Sequence, residues 1–396
     1  MMNTTETKKG SRFASAMRSF PYKKYINYIA IGIVLVVFGA LALAGGLKSS
    51  STILLEKIAI SIVLAVSLSL VVGFLGELSL GHAGFMCIGA YVGGMIAKTL
   101  SGSIGNNIGT FLIAMIVGAA FAGVFGFIIG LPALRLKGDY LAIVTLAFGE
   151  IVKVIFQQSE FFGGNLGLTT PKYGDGILNK KYFFIVAFLL VLLTLAIIQN
   201  LMRSKHGRAI TSIRDNEIAA RATGIDVTKY KLMAFIVSAC LAGIAGVLFS
   251  YTNSTIQADK FGYNYSIEIL VMVVLGGMGN ISGSIISATL ITFLNLKLQT
   301  LLTGDLAVLK DILYALILVV LVVYNNAPAL KGFREKYNFG RLMEKIRRPK
   351  PNPAAVKEDA AHWDVIPTKI PMDEVLSVDL TAQTDYTPDK PTKGDQ

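Results

Sequence analysis

Charged residues make up only 16% of this 396-residue chain. A soluble globular domain carries roughly a quarter, so there are too few here to cover a surface in water. Histidine is scarcer still: His82, His206 and His362 lie far apart and offer no metal pair. The two cysteines, Cys87 and Cys240, each sit in an apolar stretch. That excludes a disulfide framework or a metal-ligand spacing, and both read as small buried hydrophobes. A phosphate-binding loop is missing as well. The nearest look-alike, Gly45-Gly46-Leu47-Lys48-Ser49, lacks the Gly-Lys adjacency such a loop needs. With no enzyme signature in the chain, it is not expected to be an enzyme or to hold a cofactor, and any ATP-driven work requires another chain to hydrolyse the nucleotide.

What the sequence does have is long apolar runs. Hydrophobic residues are 53% of the chain and glycine contributes 39 positions. Runs of about 18 or more apolar residues read as transmembrane helices, in which glycine is also enriched. The expected fold is therefore all-α and polytopic, with candidate spans at 28–47, 53–75, 83–99, 110–131, 140–156, 182–202, 232–251, 266–277, 281–302 and 312–324. Ala42-Leu43-Ala44 resembles a signal-peptidase site, but the run before it exceeds the 7–15 residues of a signal sequence and reads as an uncleaved first helix.

The net charge of +12 sits just outside the apolar segments, which argues for a membrane topology signal rather than nucleic acid. Residues 1–25 are a basic N-terminus carrying Lys8, Lys9, Arg12, Arg18, Lys23 and Lys24, and the positive-inside rule puts them in the cytoplasm. The polar stretch 203–231, six spans later, carries seven Lys/Arg, and 331–350 carries eight. Both then belong inside, so an even number of spans separates them. That makes the 12-residue run 266–277, short enough to be re-entrant, a pass in a ten-span domain over 26–330 with both termini cytoplasmic. All eleven arginines, Arg135 included, fall on the inner side of this arrangement, while the outer loops hold only lysines such as Lys48, Lys172 and Lys180. The tail 331–396 is basic and then acidic. Beyond Lys350 it has nine Asp/Glu, four Lys and several prolines, the composition of disorder. Its Trp363 marks either a docking spot or nothing specific.

Within 203–231, apolar Ile210, Ile213 and Ile218 alternate with charged Arg214, Glu217 and Arg221, and Gly224 suits the position after a helix end. The pattern fits a short amphipathic helix that plugs into a partner's groove, or else an ordinary basic loop. Glycine breaks in the apolar segments, at 73–84 and 276–283, point either to a pathway through the membrane or to close helix packing. Glu150, about ten residues into its span, is the one obvious intramembrane carboxylate. It could meet a substrate ammonium, bond a neighbouring helix or stay protonated.

Several blocks resemble the permeases of ATP-binding-cassette importers, and specifically those for branched-chain amino acids. Glu217-Ile218-Ala219-Ala220-Arg221-Ala222-Thr223-Gly224 resembles their coupling loop, Glu-Ala-Ala with a following Gly, with one extra residue after the Glu. Gly76–Phe85, Leu136–Leu146, Gly163–Leu168 and Leu275–Asn280 are similar to other family blocks, and Gly138-Asp139-Tyr140-Leu141 looks like the second permease of the usual pair. The resemblance spans about 28–325 and leaves the tail out. It implies two homologous permeases forming the pathway in the lipid bilayer, two cytoplasmic ATPases that bind the ATP, and an extracytoplasmic binding protein. The coupling residues it suggests are Arg208, Arg214, Glu217, Ala219, Ala220 and Gly224. Along the pathway, the candidates are Glu150, Ser79, His82, Thr145, Gly277 and Asn280. Other cargoes, such as urea, are alternatives, as is an ion-coupled transporter working alone. The last would want several intramembrane ionisable residues, of which the sequence offers little beyond Glu150.

Overall fold

The computed structural model describes residues 22–43 and 49–301 apart from 135 and 137, with four single positions at 315, 316, 319 and 323. The tenth candidate span apart from those four positions, the basic N-terminus up to residue 21, Lys48, Arg135 and the tail 331–396 lie outside the described residues. So do the orientations assigned to the two termini.

The apolar runs become helices at close to the expected bounds. They are α1 (Tyr22–Leu43), α2 (Ser49–Ser69), α3 (His82–Ile104), α4 (Ile108–Ala133), α5 (Asp139–Gln158) and α6 (Phe183–Arg203). After two short polar helices come α9 (Val227–Thr252), α10 (Tyr263–Gly276) and α11 (Ile281–Leu301). Among the described residues seven helices are long and apolar enough to cross a membrane. Of the expected spans, α1 shows a shorter apolar stretch, Asn27–Ala42, and α10 has only 14 residues.

The centre of the bundle is α2, buried along most of its length and packed against α6, α9, α10 and α11. It ends in a π-helical turn, Leu70–Leu75, closed by Gly76 at φ +81°. Such turns insert one residue per cycle and interrupt the regular ladder. A two-stranded pairing of β1 (Leu168–Thr169) with β2 (Thr255–Ile256) ties the loop after α5 to the loop after α9.

Glycine provides the closest helix packing. A Cβ on Gly246 of α9 would lie 2.1 Å from the Met86 carbonyl oxygen of α3, and one on Gly89 would lie 2.2 Å from the Gly243 oxygen. Both obstacles are backbone, which cannot rotate away. Gly246→Ala is therefore expected to force α3 and α9 apart and destabilise the bundle by about 1–3 kcal/mol, as overpacking does. A lowered melting temperature of the detergent-solubilised protein is the check, with Gly32→Ala, whose surroundings are open, as the neutral control.

Helices α10 and α11 form a hairpin through their own glycine contact. A Cβ on Gly283 would fall 1.7 Å from the Gly276 oxygen. Asn280 caps α11, its Oδ1 accepting from Gly283 N at 3.2 Å. The tip of this hairpin meets the π-turn end of α2, where a Cβ on Gly73 would lie 2.4 Å from Gly279 N. At the other end, Leu296 and Gln299 of α11 sit with Ser50 and Ile53 at the start of α2. Helix α11 thus reaches both ends of α2, while α10, at 14 residues, is shorter.

Candidate coupling site and pathway

The polar stretch forms two helices where the sequence suggested one. Ser204 caps α7 (Lys205–Asp215), its Oγ accepting from His206 N at 3.1 Å and Gly207 N at 3.4 Å. Asn216 then leaves helical geometry, at φ −161°, and its side chain accepts from Ala219 N at 3.0 Å to start α8 (Glu217–Ala222). An Asn side chain offers the backbone an alternative to the helical ladder, and here it wins. Gly224, at φ +85°, ends α8 as expected. The Ile225 amide donates to Ala220 O and the Gly224 amide to Arg221 O, the paired bonds of a Schellman cap.

The break separates the isoleucines. Ile210 and Ile213 are buried against the bundle, while Ile218 on α8 is 80% exposed beside exposed Ala219 and Ala222. Ala220 turns inward and is buried, and Arg208 faces out. So α7 is the helix that holds on to the membrane domain, and α8 presents an apolar surface outward.

Two cations join these helices to the glycine breaks. Arg214 reaches back from α7 to donate to the Gly73 carbonyl at 3.0 Å, while its other face pairs with Asp215 at 3.2 Å. Its Nη1 lies 3.3 Å from where a Gly279 Cβ would stand, so one guanidinium spans both breaks. Lys231 of α9 is only 3% exposed. Its ammonium pairs with Glu77, in the segment after the π-turn, and with Glu217 Oε2 at 3.0 Å. Glu217 also receives Arg221 at 2.9 Å, a surface pair worth little by itself. Nothing in the sequence singles out Lys231 or Glu77. Lys231 ends the basic loop and looks like one more positive-inside charge; only the fold shows that it is buried between two carboxylates.

The expected pathway residues do not form one cluster. Glu150 is half-buried and already engaged: it pairs with Lys153 at 2.5 Å and accepts from the Tyr263 amide at 2.7 Å, holding the start of α10. That is the helix-bonding alternative of the three the sequence leaves open. Thr145 is buried and accepts from Leu80 N at 3.0 Å, and His82 meets Ser67 Oγ at 2.8 Å. Ser67 Oγ also lies 2.9 Å from the Leu64 carbonyl oxygen. Ser79 is buried in the same segment, between the π-turn and α3. These residues lock 76–85 to α2 and α5. Gly277, at φ +88°, and Asn280 shape the hairpin tip on the other side of Gly73. The expectation of few intramembrane charges also needs correction. Helices α2, α9 and α10 carry the adjacent pair Glu56 and Lys57, then Lys231 next to the basic loop, and Glu268 alone in an apolar stretch.

Residues 50–322 match the family model described as the branched-chain amino acid transport system / permease component. The chain belongs to this family. It is accordingly a multi-pass membrane protein of a transport-permease family. The high-affinity branched-chain amino acid transport system permease protein LivM of Salmonella typhimurium is 38% identical over 261 residues, covering 59% of this chain and 60% of that one. LivM of Escherichia coli is 35% identical over 260 residues with the same coverage. The chain thus spans about 60% of the length of these curated relatives. The ribose import permease protein RbsC of Escherichia coli is 25% identical over 349 residues, 82% of this chain and 99% of the other. No solved structure matches the chain.

Proposed function

We propose that this chain is a permease subunit of an ATP-driven importer for branched-chain amino acids. It would form the pathway with a second, homologous permease, receive cargo from an extracytoplasmic binding protein and be driven by two cytoplasmic ATPases. In this reading α7 and α8 lie on the cytoplasmic side, and the domain has ten spans with both termini inside. The even span count that the two basic segments require, with α11 as long as α2, supports counting the shorter α10 as a pass too. Similarity to LivM at 35–38% identity supports amino acids as the cargo over the sugars named for RbsC.

The observation that carries the proposal is the two-sided character of the α7–α8 unit. Its outer face offers Ile218, uncovered among the described residues, while its inner face is bound through Arg214 and Lys231 to both glycine breaks. A pull or push on α8 by an ATPase would reach the tips of α2 and the α10–α11 hairpin directly. An ordinary basic loop gives no reason for an exposed isoleucine on a helix so firmly tied on its other side.

Ile218→Asp tests this surface. Because the side chain is 80% exposed, the change is expected to leave the melting temperature of the isolated chain within about a degree or two, in keeping with the small effect of surface substitutions. Retention of the ATPase subunits during purification of the complex is expected to fall by tenfold or more. Unchanged retention would remove α8 as the docking element.

A further inference from the structure

Far from the coupling helices, at the opposite end of α2, a polar cleft of about 160 Å³ opens between α2, α9, α10 and α11. It holds far more than the space of one water. The polar residues lining it come from helices otherwise dominated by apolar side chains, and they fall at helical spacing. Lys57 and Ser61 are four apart on α2, Tyr265 and Glu268 three apart on α10, and Thr292, Asn295 and Gln299 form one stripe on α11. Three helices therefore turn a polar face to the same space.

The lining has both signs of charge and an apolar wall. Lys57 brings the cation, and among the described residues no carboxylate lies within 4 Å of it. Glu268 brings the anion, steadied by Asn295 Nδ2 at 3.2 Å. Thr292 is 7% exposed and its Oγ1 has no hydrogen-bond partner among the described residues. A buried, unsatisfied hydroxyl is costly, and one on a residue that lines a cleft calls for a partner there. Ile60, Phe249 and Leu296 supply the apolar side. Lys57 lies about 12 Å along α2 from its first residue, at 1.5 Å per residue, so the cleft is well inside the bundle.

A second cavity adjoins the cleft. It is larger, about 410 Å³, lies between the start of α2 and the end of α11, and shares Leu296 and Gln299 with the cleft. This cavity is at the end opposite α7 and α8, the side at which an importer takes up its cargo.

We infer that this cleft is a substrate-binding station for a small aliphatic α-amino acid. Lys57 meets the carboxylate, Glu268 meets the ammonium, Thr292 adds a hydrogen bond, and Ile60, Phe249 and Leu296 hold the side chain. The inference rests on the importer reading above and assigns its cargo a site distinct from Glu150. Substrate selection is then partly a property of the permease and not of the binding protein alone.

The test uses the reconstituted transporter with Cys87 and Cys240 replaced by alanine and Thr292→Cys introduced. The rate of modification by a small methanethiosulfonate reagent is measured with and without leucine, and with ribose as control. Leucine is expected to slow labelling at least fivefold, ribose not at all. In parallel, Lys57→Met is expected to lower maximal leucine uptake tenfold or more with ATP hydrolysis retained, and Lys57→Arg to restore most of it. A labelling rate indifferent to leucine overturns the inference, whatever Lys57→Met does. A rate that follows the anionic lipid content of the vesicles instead assigns the cleft to lipid headgroups and overturns it too. Protection by leucine without ATP-dependent uptake in the unmodified transporter keeps the cleft and sinks the importer reading.

Discussion

Lys231→Met is expected to produce the largest single loss of stability and transport in this chain. The ammonium is buried between Glu77 and Glu217, joining α9, the segment after the π-turn and α8. Removing it leaves two carboxylates facing one another with no cation between them. Breaking a buried ion pair by deleting one partner costs about 3–5 kcal/mol. Here the lower end applies, because Glu77 and Glu217 keep 13% and 26% of their side-chain surface exposed and are partly screened. A drop in melting temperature measured in detergent is the first check. The second separates stability from coupling. Adding Glu77→Gln and Glu217→Gln to Lys231→Met removes the repulsion and is expected to recover most of the stability, since a neutral cluster can replace a buried charged one at little cost. Uptake is expected to stay at least tenfold reduced while ATP hydrolysis continues. A stable triple variant that transports normally would make the network structural only.

Arg214 carries the second large effect. Its guanidinium donates to the Gly73 carbonyl and lies beside Gly279, so it holds the end of α2 and the tip of the α10–α11 hairpin in register with α7. Arg214→Met keeps the aliphatic stem and removes the fork. A hydrogen bond to a charged group contributes about 1.5–3 kcal/mol. Since the side chain is 40% exposed, the smaller figure is expected in stability. The effect on coupling is expected to be greater, with uptake per ATP hydrolysed down tenfold or more. Arg214→Lys should not rescue it, because a point-like ammonium cannot reach Asp215 and the Gly73 carbonyl together. Rescue by lysine would show that charge alone, not the bridging geometry, is what matters at this position.

These two residues also show how far the sequence can be read. The helices are legible because long apolar runs have few alternatives in a bilayer, where every backbone group must be bonded internally. The end of α8 is legible at Gly224 because a left-handed cap favours glycine. The split between α7 and α8 is not, since Asn216 is tolerated within helices and breaks one only when its side chain captures a nearby amide. Glycine breaks at 73 and 279 are visible singly, and their mutual contact is not, because it joins residues about two hundred positions apart. Lys231 is masked by a rule that is correct on average: basic residues crowd the inner ends of spans, so a buried one looks like its neighbours. Glu150 misleads in the opposite direction. Its depth in an apolar run is real, but the Tyr263 amide and Lys153 already engage it.

The central claim is that ATP hydrolysis by partner subunits drives cargo through this chain. Its most direct test is uptake of labelled leucine into liposomes holding the complete transporter, with loaded binding protein outside and ATP or a non-hydrolysable analogue inside. Uptake that requires hydrolysable ATP and survives collapse of ion gradients by ionophores is the expected result. Uptake that proceeds without ATP and vanishes with the ion gradient would contradict the account and make the chain an ion-coupled transporter.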